Sequence, residues 1–513
     1  MQRLAEAAMW LGALLVTIAP ATAQETVAAG HSSLVYPGPE GKLVYVPDEQ
    51  GNTIPDFSNC GYKGGGVRLP EVPVKVILEP AQGDAGARIQ AALDQVAALP
   101  LDENGIRGAV LLKRGTYRIG GVLRLGASGV ALRGEGQGED GTVLLCTGKG
   151  QRTLLQVRGT GSPKELAGTR RQVTDSYVPV GARSFHVDSV EGFKVGDRVI
   201  VRRPSTAEWI HFIGMDRIPV PKGRTDVVQW TAGSKDLPFL RVITALEGNR
   251  VSVDAPLVNA LQAEYGGGLL YRYEFGGRVS QVGIENLRGD SESAKPDDED
   301  HGWNLVSLDS CEDCWVRDVT SVHFGYSCVN VGRWGTRSTI RDCTCLDPVS
   351  QITGGRRYSF ALAGQLNLVL RCVARDGRHD FVMHAVVPGP NAFVDCSATR
   401  AHADTGPHHR WSTGTLYDNV SVEGNAINVQ NRGASGTGHG WAGAQMVFWN
   451  CTAKSMDVQR PPTAQNWAIG CKAGTHKGSG FWESFGTPVE PRSLYLKQLE
   501  ERLGPQAVAN LAR

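Results

Sequence analysis

The most restrictive feature of this 513-residue chain is a short segment that recurs through its second half. Ile284-Glu285-Asn286-Leu287 is followed by Val316-Arg317-Asp318-Val319, Ile340-Arg341-Asp342-Cys343, Leu370-Arg371-Cys372 and Phe393-Val394-Asp395-Cys396. Tyr417-Asp418-Asn419-Val420, Phe448-Trp449-Asn450-Cys451 and Ala468-Ile469-Gly470-Cys471 complete the series. The closing residues are 32, 24, 29, 24, 24, 31 and 20 positions apart, a mean of about 26. One coil of three short strands and three turns needs about that many residues, so the spacing predicts a solenoid whose longer intervals are loops inserted at turns. Most units close on Cys or Val, small apolar residues suited to an interior rung. Cysteine acts there as a small buried hydrophobe, and the ladder reads as packing, with one or two coil-to-coil disulfides as the alternative.

Composition and the first half agree with this. Glycine supplies 64 of 513 residues, well above the average of roughly 7%, and its dispersal demands many tight turns. Ala109–Leu112, Val122–Leu125, Val130–Arg133 and Val143–Leu145 read as short strands between Gly-containing turns, with no Asn-Gly or Asp-Gly hairpin joining them. Ile89, Leu93, Val96 and Ala97 fall at helical spacing and predict one amphipathic helix within residues 84–99. Asp84 and Ile89-Gln90-Ala91-Ala92-Leu93, followed by Gly115-Thr116-Tyr117, together with the recurrent segments, resemble the right-handed parallel β-helix of the pectate-lyase-like superfamily. The resemblance covers residues 75–170 and 265–475 and implies an all-β fold and a carbohydrate-active protein.

The expected organisation is a secretory signal at 1–23, an N-terminal extension at 24–74, and a cap with the first coils at 75–172. A small β-rich insertion at 173–258, the main β-helix at 259–475 and a C-terminal capping segment at 476–513 follow. The signal is read from Arg3, the apolar run Ala7–Ala19 and Ala21-Thr22-Ala23. That run is shorter than the ~20 residues that span a bilayer, so a leader cleaved after Ala23 and a secreted or periplasmic chain are expected. The insertion is read from the alternation in Val195–Val201 and Asn249–Val253. Leu496, Leu499 and Leu503, stopped by Gly504, predict a terminal helix covering the open end of the solenoid. Lys+Arg 53 against Asp+Glu 52 leaves a net charge of +1 with no basic run, which argues against nucleic-acid binding; a monomer is expected.

Histidine distribution carries the functional expectation. Six of the twelve histidines (379, 384, 402, 408, 409 and 439) fall within 61 residues. Counted from the rung residues, His379, His408–Arg410 and Asn428–Arg432 lie on neighbouring coils, about 4.8 Å apart per step, and predict a polar ladder along one side. The loop 433–443 would bring His439 and Trp441 over its edge. Such a trough suits an acidic polysaccharide cleaved by β-elimination. Catalysis is assigned to His379, His409, Arg410, Asp380 and His439, with imidazole as the base. Substrate binding is assigned to Arg378, His408, Trp411, Gln430, Arg432 and Trp441, the tryptophans as sugar-stacking platforms. A glycoside hydrolase is the alternative: Gly438-His439-Gly440 looks like a short motif of the polygalacturonase family, and Asp376, Asp380 and Asp404 are its candidate carboxyls. A non-catalytic glycan binder is the third class. Asp298, Glu299 and Asp300 offer hard oxygen ligands for calcium, the one cofactor expected.

Overall fold

Each recurrent segment forms one parallel rung in the computed structural model, which describes residues 30–512. The expected signal segment lies outside those residues. The inward position of the rung runs Val76, Val110, Leu132, Ile284, Val316, Ile340, Val369, Phe393, Tyr417, Phe448, Ala468 and Trp482. Each pairs in parallel register with the next. The chain is a right-handed parallel β-helix.

The polar residue inside the repeat makes the corner. Asn286, Asp318, Asp342, Arg371, Asp395, Asn419 and Asn450 all adopt φ between 51° and 57°, the left-handed region that Asn and Asp enter more readily than other side chains. The chain turns there from the first sheet into the second. The next residue points inward: Cys343, Cys372, Cys396, Val420, Cys451 and Cys471 are all buried. The thiols of Cys343, Cys396 and Cys471 lie 3.6, 3.6 and 3.3 Å from the carbonyl oxygens of Val316, Val369 and Phe448, one coil below. All 11 cysteines are unpaired and buried, so the ladder packs and carries no disulfide.

A third sheet closes each coil. Leu155, Val306, Val329, Phe360 and Phe381 follow one another in parallel register and fill the remaining side of the core. The helix Gly86–Ala97 buries Ile89, Leu93 and Val96 against the first coils, as its periodicity predicts. The helix Leu494–Leu503 is present but does not cover the open end. It lies along the flank with the N-terminal extension, where Leu494, Tyr495 and Leu499 pack on Leu368, Leu416 and Trp449. Those residues alternate with the inward rung and therefore form an apolar outer face that needs cover.

The insertion is longer than the alternation suggests. Antiparallel pairing begins at Lys164 and ends at Glu274, because the short outer strands are too brief to read as strands alone. It has its own core around Trp209, Phe239 and Leu270, and that core takes in Trp411 and Ala444 from the solenoid. The insertion thus packs directly beside the histidine-rich coils.

Candidate functional site

The third-sheet strand Phe381–Met383 sets the geometry. Phe381 packs in the solenoid core, and Val382 packs outside with Tyr358 and Ala361. Asp380 is fully buried and accepts a hydrogen bond from Ser359 Oγ at 2.6 Å. Burial pushes its carboxyl up to about 7, with Ser359 pulling the other way. It has no route to solvent, so the expected catalytic role for Asp380 is corrected to a structural one.

His379 is only 2% exposed. Its Nδ1 lies 2.5 Å from the Asp404 carbonyl oxygen, and its ring centroid lies 4.4 Å from that of His408. The Asp404 carboxylate is in turn ion-paired with Arg432. Three coils that are distant in sequence are therefore tied side by side, as the ladder predicts, but His379 sits behind the others rather than at the surface.

The exposed edge of the cluster is made by His408, His409 and His439. Their ring centroids form a triangle with sides of 5.3, 5.1 and 4.9 Å. His384, at the end of its strand, lies 6.3 Å from His409. His439 reaches the triangle because the insertion holds its loop: Val228 N donates to Thr437 O at 3.1 Å and Trp230 Nε1 to Gly438 O at 3.4 Å. Gly440 is required at φ +59°, since a Cβ there would meet Met215 Sδ at 2.5 Å.

Burial keeps these imidazoles neutral. It pulls His379, His384 and His439 down to about 4 and His409 to about 2, and it lowers His408 further, helped by His379 and Arg432. From the insertion, buried Lys235 is brought down to about 8 by desolvation and by the nearby Arg410. His379 Nε2, His408 Nδ1, His409 Nδ1, His439 Nδ1 and Arg432 Nε are all buried without a hydrogen-bond partner. Native interiors rarely leave such groups unmatched, so five in one cluster set this region apart as one that can accept hydrogen bonds from, or donate them to, an outside partner.

The remaining expected site residues divide. Arg378 donates to Gly354 O and Arg410 to Thr437 Oγ1, which places both at the rim. Gln430 lies half-buried on the strand edge, its carbonyl accepting from Ala442 N at 3.0 Å. Trp411 is corrected: it is fully buried, with Nε1 donating to Asn259 Oδ1 at 3.0 Å, and joins insertion to solenoid. Trp441 is half-buried against the same apolar cluster. Trp411 therefore presents no free face for a sugar. Trp303 and Tyr326, both half-buried, lie 6.5 Å apart between centroids and lead to the buried Tyr358, 5.1 Å from Tyr326 and 5.0 Å from His379.

The acidic loop does not fit calcium. Glu299 is held by Arg356 at 2.5 and 2.8 Å, Asp298 accepts from the backbone of Ala294 and Asp300, and Asp300 accepts from Gly150 N at 2.8 Å. Their oxygens are spent on separate partners, and among the described residues no three His, Cys, Asp or Glu side chains are arranged to hold a metal.

No protein-family model matches the sequence, and no curated protein matches it significantly. Several solved structures are similar in winding. They include the tailspike protein gp49 from Pseudomonas phage LKA1, 12% identical over 79% of this chain and 72% of that one, with a TM-score of 0.39. Alginate lyase from Paenibacillus sp. str. FPU-7 is 10% identical over 80% and 99%, TM-score 0.39. Polygalacturonase from Erwinia carotovora ssp. carotovora is 11% identical over 82% and 98%, TM-score 0.36. The likeness stops at the fold.

Proposed function

We propose that this chain is an exported polysaccharide lyase that cleaves a uronate-containing polymer by β-elimination at the histidine cluster. The observation that carries this reading is the set of five unpartnered buried nitrogens beside Arg378, Arg410 and Lys235. Cationic at its rim, with Asp404 and Asp376 ion-paired and Asp380 buried, the cluster matches an anionic, hydroxylated ligand.

In the reaction, the sugar carboxylate docks among Arg410, His439 and Lys235, which offsets the charge that builds up when the adjacent C5 proton leaves. His409 takes that proton. The C5–H electrons form the C4–C5 double bond, the C4–O bond breaks, and the departing oxygen receives a proton from the His409 imidazolium or from water. Substrate charge also corrects the basicity: an anion beside a buried imidazole raises its pKa from the low value of the empty site toward the operating pH. His379 and the Arg432–Asp404 pair hold His408 in place. Trp303 and Tyr326, half-buried on the same side, take further sugar units by stacking.

The hydrolase alternative is weaker for a specific reason. It needs a protonated carboxyl that reaches the substrate as general acid: Asp380, raised to about 7, is fully buried, while Asp404 is ion-paired with Arg432 and Asp376 with Arg400. Incubation with a panel of acidic and neutral polysaccharides tests the reading. An ultraviolet-absorbing unsaturated product, abolished in a folded His409→Ala variant, is the expected result. Reducing ends without that absorbance would establish hydrolysis instead, and binding without either product would leave a glycan-binding protein.

A further inference from the structure

We propose that a second saccharide-binding site, separate from the histidine cluster, lies where the N-terminal extension, the insertion and the last coils meet. A cleft of about 380 Å³ opens there between Asn52, Tyr177, Gln262, Gln445, Arg460 and Phe481. That volume lies within the range of small-ligand sites, and the cleft shares no residue with the cluster of His379, His408, His409 and His439.

Its wall is built for a ligand rich in hydrogen-bond donors. Gln445 is only 3% exposed, and its Oε1 is buried with no partner. Gln262, also in the lining, has its Oε1 in the same condition. A buried amide oxygen left unmatched is costly, and two of them in the wall of one cleft call for O–H or N–H groups from outside the protein. The backbone supports this placement, because Gln445 sits at φ 58°, where a non-glycine side chain is unusual. The Asn52 carbonyl is already used, accepting from Tyr177 Oη at 2.9 Å and from Val180 N at 2.8 Å, so it stiffens the wall. Tyr177 and Phe481 are half-buried and give apolar faces suited to the C–H side of a sugar ring. Arg460 at the rim is exposed and makes no side-chain hydrogen bond or ion pair among the described residues, which favours a sugar carrying a carboxylate. Hydroxyl donors, an apolar ring face and one anion together describe a uronate residue better than a lipid, which is poor in donors, or a nucleotide, whose phosphates would meet a single cation in the lining.

The site requires no chemistry and does not rest on the lyase reading. Isothermal titration with oligogalacturonate, oligomannuronate and oligoguluronate tests it, using the folded protein and the His409→Ala variant. The expected result is binding to at least one of the three that survives in His409→Ala and weakens about tenfold in Gln262→Leu and in Arg460→Ala. Arg460→Ala lies at an exposed position, so its readout does not depend on folding. Binding that vanishes in His409→Ala but is unchanged in both cleft variants would overturn the proposal, as would the absence of binding by all three. Turnover of a short oligosaccharide, unchanged in the cleft variants, separates this site from the catalytic one; turnover absent from the wild type, or retained in His409→Ala, while cleft binding persists would sink the lyase reading alone.

Discussion

Replacing His408 and His409 together by Gln changes stability in a pH-dependent way whose size follows from burial. Both imidazoles are held far below their ordinary pKa in the fold, whereas in the unfolded chain each titrates near 6.5. Above that pH both states are neutral and the histidines contribute nothing to the pH dependence. Below it the unfolded chain takes up protons that the fold refuses, so stability falls as pH falls. One unit of pKa difference is about 1.4 kcal/mol, which gives ~2 kcal/mol per histidine by pH 5, or ~4 kcal/mol for the pair. Partial solvent access to both rings reduces this to between about 2 and 4 kcal/mol. The whole protein does not reveal the effect directly. Asp380 and Asp418, both raised to about 7, hold protons in the fold that the unfolded chain releases, and they stabilise it at low pH and lose that contribution as pH rises toward 7. The difference between wild type and the double variant cancels those carboxyls. Urea unfolding followed by circular dichroism at pH 8 and pH 5 is the assay. The variant is expected to gain about 2–4 kcal/mol relative to wild type on going to pH 5. A difference that stays constant to within about 0.5 kcal/mol would refute the neutral, buried cluster.

Trp411→Ala is expected to cost about 3–5 kcal/mol by thermal or urea unfolding, because the ring joins two cores; an unaltered stability with raised KM would restore it as a sugar platform. Tyr326→Ala is expected to raise KM severalfold for long substrates with kcat unchanged, read from steady-state kinetics on polymers of graded length. Asp298→Asn with Asp300→Asn should leave activity and its response to chelator unchanged, since those carboxylates hold backbone amides. Alkylation under denaturing conditions without reductant should label all 11 cysteines by intact mass; fewer would reveal a coil-to-coil disulfide.

The solenoid was legible because one local signal repeats. An Asn or Asp able to turn left-handed, followed by a small apolar residue, marks each corner of Asp342-Cys343, Asp395-Cys396 and Asn450-Cys451. No single copy would be convincing, but the register of all of them coincides with the observed ladder from Ile284 to Ala468. The flank position of the C-terminal helix was not legible. Its amphipathic pattern fixes that a face is buried and says nothing of what buries it, and the cover it supplies is for the outward residues Leu368 and Leu416. The insertion boundaries failed for a related reason: strands of two residues, such as Lys164–Glu165, carry no period.

The site was legible in its histidines and illegible in its tryptophans, and the difference is physical. Polar residues concentrated on successive coils have few reasons to be there besides a ligand or each other, and five of their nitrogens do remain unmatched. A tryptophan has a third destination, an interface between two apolar cores, and Trp411 takes it through its contact with Trp209 at 4.8 Å between centroids. The aromatic row of Trp303, Tyr326 and Tyr358 had a weaker signature that only stacking makes visible. An aromatic or histidine stands just before a small polar residue at the entry to the third sheet, in Trp303-Asn304, Tyr326-Ser327, Tyr358-Ser359 and His379-Asp380. Lys235 had none at all, since it lies some 140 residues from the cluster in sequence and arrives only because the insertion folds back onto its own solenoid. On the proposed reading that return contact makes the insertion part of the site: it buries Lys235 near Arg410 and pins the loop of His439 through Val228 and Trp230. Loosening it with Trp230→Ala should therefore lower kcat with the β-helix intact by circular dichroism, and full activity in that variant would mean that the solenoid alone carries the reaction.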